Sequence, residues 1–154
     1  MKTSHMKRAF FLAALSVLPM HVSALDQKCF NTQDINALES VLKGFNQAVN
    51  ENDPQKMALY MNFPITDNHN HAITQRVFLE EDSYGPVISV KKLFKNSLPT
   101  SSHQKGIKAY AYLDYCNMYT IENSRADKGR GIRFIFKKAG KTIKLKLIRF
   151  GKED

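Results

Sequence analysis

The sequence lacks the short motifs that mark many common catalytic and metal centres. It contains no Ser-x-x-Lys, no Gly-x-Ser-x-Gly, no phosphate-binding loop and no paired-cysteine zinc motif. Its cysteines number two, and no internal repeat, low-complexity tract or linker divides the chain. These absences count against enzymes of those classes, favour a single domain and give no reason to expect a cofactor.

A long apolar run is also missing from the chain after its N-terminal segment, so no later segment is expected to span a membrane. The N-terminus begins MKTSHMKRAF, continues through the short apolar run Ala9–Leu18 and reaches Val22-Ser23-Ala24. A positive start, a short apolar middle and a small-residue end are typical of a secretory signal peptide. We therefore predict a signal peptide at residues 1–24 and a soluble periplasmic or secreted domain at residues 25–154. The alternative is an amphipathic N-terminal helix.

The charge balance is positive, with 23 Lys and Arg against 14 Asp and Glu and a formal net charge of +9. Residues 1–24 carry three positive charges and no negative one, so their removal lowers the net charge from +9 to +6. A basic exported domain is suited to an acidic protein, an anionic lipid surface or a polyanionic glycan. Nucleic acid is not an expected partner, because export removes the usual targets.

The first half of the mature chain has helical patterns. An apolar stripe recurs at three- and four-residue steps through residues 32–50, and Asn31 or Thr32 can cap this helix. Asp53-Pro54 suits the start of a second, short helix that is expected to end near Met61.

Strand patterns dominate the second half. Ile73–Leu79 is predicted to be a strand, and Ser89 is expected to cap a following helix. Residues 107–121 predict one long strand, and residues 131–138 and 141–150 predict two more that are joined by a tight hairpin. Helices followed by antiparallel strands indicate an α+β fold, with N-terminal helices packed on one face of a strongly curved, mostly antiparallel sheet.

Three of these segments together resemble the nuclear transport factor 2-like superfamily, the cone-shaped α+β fold shared by ketosteroid isomerases and polyketide cyclases. They are the opening helix with its Asp-Pro-led successor ending in MNFP, the segment SVKKLFKN, and the closing pair GIRFIFKK and KTIKLKLIRF. The resemblance covers about Asp34 to Phe150. It implies a pocket between the helices and the concave sheet. Many members are enzymes with an acid or base in that pocket, and others bind ligands or proteins, some as immunity proteins that neutralise a bacterial toxin.

The segment Asp67-x-His69-x-His71 is the first candidate for chemistry, because a carboxylate and two imidazoles can bind zinc. The segment is polar, follows Pro64 and contains two asparagines, which are typical of a turn. We predict a solvated turn with no metal site and no catalytic residue, with a metal or catalytic role as the alternatives.

The tyrosine-rich stretch around residues 110–120 is the second candidate. With Tyr60 from the second helix, the polar tips of Tyr115, Asn117 and Tyr119 are predicted to line a pocket. An isomerase-type site also needs a carboxylate base facing a tyrosine. The carboxylate of this strand, Asp114, alternates onto the opposite face. The alternative is ordinary packing of a tyrosine-rich strand.

The third candidate is a basic surface on the closing hairpin. Its main members are Arg133, Lys137, Lys144 and Lys146, and the wider set adds Arg130, Lys138, Lys141 and Arg149. Alternation predicts that Ile143, Leu145 and Leu147 face the core while the lysines face outward. Such charge either serves solubility and blocks edge-to-edge pairing or forms a docking surface for an acidic partner.

These features predict an exported, non-catalytic binding protein. Its partner is a protein, with toxin neutralisation as one concrete role, or a small ligand. The alternative is a pocket enzyme of isomerase or dehydratase type that works by acid–base chemistry. The sequence leaves the oligomeric state open, a dimer included.

The two cysteines of the mature chain yield a testable prediction. We expect Cys29 and Cys116 to form a disulfide, because the export signal implies an oxidising compartment and the count is even. Closing so long a loop stabilises the fold by at most roughly 4–5 kcal/mol. Intact mass after alkylation without reductant checks the prediction. Two alkylated thiols in the natively exported protein would instead establish the alternative of two unpaired cysteines.

Overall fold

The computed structural model describes residues 31–67, 69–111, 117–125 and 131–150. Within these ranges the helices are α1 Thr32–Asn50, α2 Pro54–Ala58, α3 Gln75–Glu80 and α4 Gly85–Ser97. The strands are β1 Met61–Thr66, β2 Ala72–Ile73, β3 Ile107–Ala111, β4 Met118–Asn123, β5 Ile132–Ala139 and β6 Thr142–Phe150. The predicted signal peptide and both cysteines lie outside the described residues.

The opening helix has the predicted bounds. Asn31 caps it, because its side chain accepts a hydrogen bond from the backbone N–H of Asp34 at 2.9 Å. The apolar stripe is buried, with Leu38, Leu42 and Phe45 fully enclosed. Asp53 caps α2 as expected, although α2 ends at Ala58.

The six strands form one sheet in the order β2-β1-β6-β5-β4-β3. Every adjacent pair is antiparallel except β1 and β6, which run parallel. The predicted α+β class, with helices preceding a mostly antiparallel sheet, is confirmed. No helix in the described part of the chain has the length and apolar character needed to cross a membrane.

A bulge in β6 decides which side chains face the helices. Phe136 is opposite Leu145, but Ile135 is opposite Leu147, so Lys146 is an extra residue in β6. Leu145 and Ile148 are therefore both in the core, and Leu147 lies beside Ile135 on the outer face of the sheet. The prediction that Leu147 joins Ile143 and Leu145 in the core was wrong, because strict alternation does not include the extra residue.

Aromatic rings join the helices to the sheet. The rings of Phe45 in α1 and Phe94 in α4 meet edge to face, with centroids 4.9 Å apart. Phe94 also packs near Phe134 of β5 at 6.4 Å. On its other side Phe45 stacks with Tyr60 at 5.6 Å. Such contacts add about 0.5–1.5 kcal/mol per pair beyond the burial of apolar area.

The prediction of a strand at Ile73–Leu79 was wrong, and strand β1 was not predicted. Met61–Thr66 is strand β1 because Ile65 pairs with Ile73 and the strand lies along β6, partners that local sequence does not reveal. The predicted strand Ile73–Leu79 is mostly helix α3. Its start is fixed by Thr74, whose hydroxyl accepts from the backbone N–H of Val77 at 3.3 Å.

Two further boundaries differ from the prediction. Residues 107–121 are not one strand, because β3 and β4 fold back on each other, with Ala111 opposite Tyr119. The sequence between Ala111 and Met118 contains neither glycine nor proline, and the alternation on both sides was interpreted as one continuous strand. Helix α4 begins at Gly85 and not at Ser89, because Pro86 occupies its first turn, where a missing N–H costs nothing.

Gly44 in the middle of α1 has a packing role that can be tested. A Cβ at this position would lie 2.2 Å from the hydroxyl oxygen of Tyr60 and 2.7 Å from its Cζ. Helix propensity alone predicts that Gly44→Ala stabilises by about 1 kcal/mol. We expect it to destabilise by about 1 kcal/mol, because the stacked ring must move. Urea unfolding followed by circular dichroism measures the change.

Gly85→Ala is the matched control, since a Cβ there meets nothing within 4 Å. In a Tyr60→Leu background, Gly44→Ala is expected to stabilise. A stabilising Gly44→Ala in the natural background would contradict the packing account.

Candidate functional site

The outer face of the sheet, opposite the helices, carries most of the predicted basic surface. Lys137 lies directly opposite Lys144, and Arg133 lies directly opposite Arg149. Between these two rows lies the apolar pair of Ile135, which is buried, and Leu147, which is half-buried. We call the two basic rows with this pair the basic face.

The members of the basic face differ in how far they are neutralised. Arg133 is half-buried, and its Nε lies 3.3 Å from the carboxylate of Glu122. Lys137 and Lys144 are half-buried and Arg149 is exposed. Lys146, which the sequence analysis also assigned to the basic surface, is the extra residue of the β6 bulge. Its Nζ donates to the backbone oxygen of Pro64 at 2.7 Å. Lys146 therefore also ties β6 to β1.

Like charges placed directly opposite each other on neighbouring strands repel. Each such pair destabilises a sheet by a fraction of 1 kcal/mol. The basic face contains two, Lys137 with Lys144 and Arg133 with Arg149, and Glu122 offsets part of the second. An acidic surface placed against them would relieve the repulsion, so the arrangement is suited to electrostatic docking.

A second candidate is a cleft at the start of α1, which we call the Asp34 cleft. It has a volume of about 400 Å³ and is lined by residues that include Asp34, Lys138 and Lys141. The Asp34 carboxylate is buried and accepts a hydrogen bond from the Lys138 ammonium, which reaches inward from β5. This ion pair ties the first turn of α1 to the end of β5.

Tyr119 lies behind this ion pair and is fully buried. Burial raises the pKa of its hydroxyl, and the negative charge of Asp34 raises it further against the opposing effect of Lys138. The hydrogen bond to Asp34 is the main cause that raises the pKa of Lys138. The lysine therefore stays charged, and its ammonium donates to Oδ1 of Asp34, so this oxygen is already engaged within the protein.

Of the four predicted pocket residues the structure describes Tyr60, Asn117 and Tyr119, and these three lie in different surroundings. Tyr60 stacks on Phe45, and Asn117 is exposed, with its backbone oxygen accepting from the N–H of Lys138 at 2.6 Å. Tyr119 is enclosed beside Asp34, and Tyr115 lies outside the described residues. None of these three residues lines the Asp34 cleft.

The segment 67–71 is a turn between β1 and β2 that is organised by a buried carboxylate. Asp67 Oδ1 accepts from the backbone N–H of His69 at 2.9 Å and of His71 at 2.8 Å. Its Oδ2 lies 2.9 Å from Nδ1 of His71. Burial acts to raise the pKa of Asp67, but the hydrogen bonds from His71 and His69 outweigh it and hold the pKa below its ordinary value.

This geometry uses both oxygens of Asp67 for local bonds. No group of three His, Cys, Asp or Glu side chains in the described part of the chain is spaced to hold a metal ion. The absence of a metal or catalytic role at this turn stays a prediction. What the turn does is hold His69 and His71 in place, with their ring centroids 5.9 Å apart.

Sequence reasoning missed the contact between Asp34 and Lys138. Lys138 was assigned to the basic surface, no role was predicted for Asp34, and the two are 104 residues apart in the chain. An inward position for Lys138 follows from its register opposite Ile143, which depends on knowing the pairing of β5 with β6.

Comparisons of the chain with protein-family models, curated proteins and solved structures found no match.

From the lowered pKa of Asp67 we predict how the stability of the fold depends on pH. The pKa of Asp67 in the folded state lies below its ordinary value of 3.8. The ionised carboxylate therefore contributes stability at pH values above 3.8, and this contribution is lost as the pH falls through the folded-state pKa. Asp67→Asn is expected to cost about 1–2 kcal/mol at pH 7, because a charged acceptor is lost from a buried turn. The variant should also lose less stability than the natural chain on acidification from pH 5 to pH 2.

Urea unfolding at each pH measures both effects. Asp82→Asn serves as the control, because its side chain is 79% exposed. Equal acid sensitivity of the natural chain and Asp67→Asn would show that the turn does not depend on this charge.

Proposed function

We propose that this chain is an exported, non-catalytic binding domain that docks onto an acidic protein through the basic face. Neutralising a toxin as an immunity protein is one concrete form of this role. The proposal includes periplasmic or secreted location, for which the N-terminal pattern of charge and apolar residues is the support.

The observation that carries the proposal is the placement of Lys137 against Lys144 and of Arg133 against Arg149 on one rigid sheet surface. A sequence selected for stability alone would pair these positions with opposite charges, which contribute favourably across strands. The retained repulsion is explained if an acidic partner neutralises it in the complex. Positive charge held on a sheet also speeds encounter with such a partner and makes association sensitive to salt.

Membership of the nuclear transport factor 2-like superfamily is part of the same proposal. It is supported by the order of the elements, in which the long helix α1 and the Asp-Pro-led α2 come first and the β5–β6 hairpin closes the sheet. The large aromatic side chains Phe45, Phe94 and Phe134 fill the space between helices and sheet. A filled interior favours a binding surface over an enclosed reaction chamber.

The rival function, an acid–base enzyme of isomerase or dehydratase type, has one favourable feature. Asp34 is an inward carboxylate near the hydroxyl of Tyr119, the pair of groups that such chemistry uses. Two facts count against it. Lys138 occupies the carboxylate, and Tyr119 is not among the residues that line the adjacent cleft.

The docking prediction is tested by reversing charge on the basic face. The double variant Lys137→Glu, Lys144→Glu keeps a like-charge pair at the same positions, so its stability should stay within about 1 kcal/mol of the natural chain. Capture of the partner from the protein's own cells should fall at least about tenfold, because each contact with an acidic surface becomes repulsive. Quantitative mass spectrometry of the captured proteins at low and high salt measures the loss.

The matched control is Lys43→Glu, Lys95→Glu, which changes net charge equally at exposed helical positions. It should retain most of the capture. Equal loss in both variants would indicate nonspecific attraction by net charge. Full capture by the folded basic-face variant would reject this face as the interface.

A further inference from the structure

A cleft lies between helix α4, the turn that contains His69, the start of β5 and the end of β6. We propose that this cleft binds an organic anion with an apolar body. The cleft, which we call the α4 cleft, has a volume of about 360 Å³. Protein sites for small molecules span about 300–1,000 Å³. A water molecule takes up about 30 Å³ in liquid water, so the α4 cleft has room for roughly a dozen waters or for a ligand of similar total volume.

The base of the α4 cleft is apolar. Ile132 at the start of β5 is fully buried, and it pairs directly with Phe150 at the end of β6. Leu93 of α4, which packs against the core, completes this base. Leu93 and Phe150 are only partly buried, so covering their exposed parts with an apolar ligand body removes apolar surface from water, which is favourable by about 25 cal/mol per Å².

The rim of the α4 cleft is polar and carries positive charge. Ser89, Lys92 and Asn96 recur at three- and four-residue steps on one face of α4, and all three are exposed. Helix α4 has no acidic residue along its length, so Lys92 has no carboxylate neighbour on its own helix. Among the described residues that line the cleft none is acidic. Lys92 is therefore available to an anion.

The fourth polar group on the rim comes from the Asp67 turn. His69 lines the cleft, and its backbone is fixed by the 2.9 Å bond to the Asp67 carboxylate. The carboxylate itself is buried and accepts from His71, so its charge is already engaged away from the cleft. The turn thus presents an imidazole to the ligand from a fixed support, which reduces the entropy lost on binding.

These features define the ligand class. A single anionic group would bind Lys92, with hydrogen bonds from Ser89, Asn96 or His69. An apolar body would cover the exposed parts of Leu93 and Phe150. Neither a purely polar anion nor a neutral apolar molecule uses both halves of the cleft. The site lies at the α4 end of the fold and not on the basic face, so it does not depend on the proposed docking function.

The test uses 4-phenylbutanoate as the probe and 4-phenyl-1-butanol as its neutral counterpart of nearly equal size. Two-dimensional amide NMR of the chain follows a titration with each. We expect 4-phenylbutanoate to shift the amide signals of Ser89, Leu93, Asn96 and Ile132 in a saturable manner, with Kd in the micromolar to millimolar range. The alcohol is expected to bind about three- to fivefold more weakly, the range that corresponds to an exposed ion pair.

Lys92→Gln should weaken binding of the acid to the level of the alcohol and leave binding of the alcohol unchanged. Lys95→Gln is the matched control, because it is exposed on the same helix but does not line the cleft. Three results would each overturn the inference: no saturable shift at 10 mM probe, equal affinity for acid and alcohol, or equal loss in Lys92→Gln and Lys95→Gln. Since the basic-face residues are untouched, partner capture by Lys92→Gln separates this result from the docking proposal.

Discussion

The single extra residue in β6 determines the two faces of the closing hairpin. Ahead of Lys146, Ile143 and Leu145 face the helices, and beyond it Ile148 and Phe150 do so. Without the extra residue, strict alternation would turn Ile148 outward and Arg149 inward, because a one-residue shift exchanges the faces of every later side chain. The filled core, the basic row that contains Arg149 and the base of the α4 cleft that contains Phe150 all depend on this offset.

The elements that sequence patterns predicted correctly are those fixed by neighbouring residues. Helix α1 has a continuous apolar stripe with a capping asparagine, and the β5–β6 hairpin has alternation on both sides of Gly140, whose φ of 61° suits glycine. The wrong predictions lie in segments whose structure depends on a strand that is distant in the sequence. Strand β1 exists because β6 and β2 border it, and the division of residues 107–121 into β3 and β4 is seen only from the pairing of the two strands.

The candidate sites were predictable only in part for the same reason. Placement of Lys137 and Lys144 on one surface follows from local alternation across a hairpin whose turn could be identified in the sequence. Predicting that Arg133 lies opposite Arg149 would have required the register of β5 and β6 beyond the bulge. The α4 cleft draws on α4, the Asp67 turn and the ends of β5 and β6, and no short pattern links those segments. The pairing of Asp34 with Lys138 likewise joins the two extremes of the described fold.

The parallel pairing of β1 with β6 has a consequence for the order in which this domain assembles. Met61 lies beside Leu145, so β1 lacks its parallel neighbour β6 until the chain has been synthesised past Leu145. Contacts between residues so distant in sequence carry a high loop-closure cost and slow the search for the native topology. During that interval β1 and the β1–β2 hairpin expose unpaired backbone edges, which are templates for intermolecular pairing. Completion of the sheet is therefore the stage at which a chaperone would have the most effect on yield.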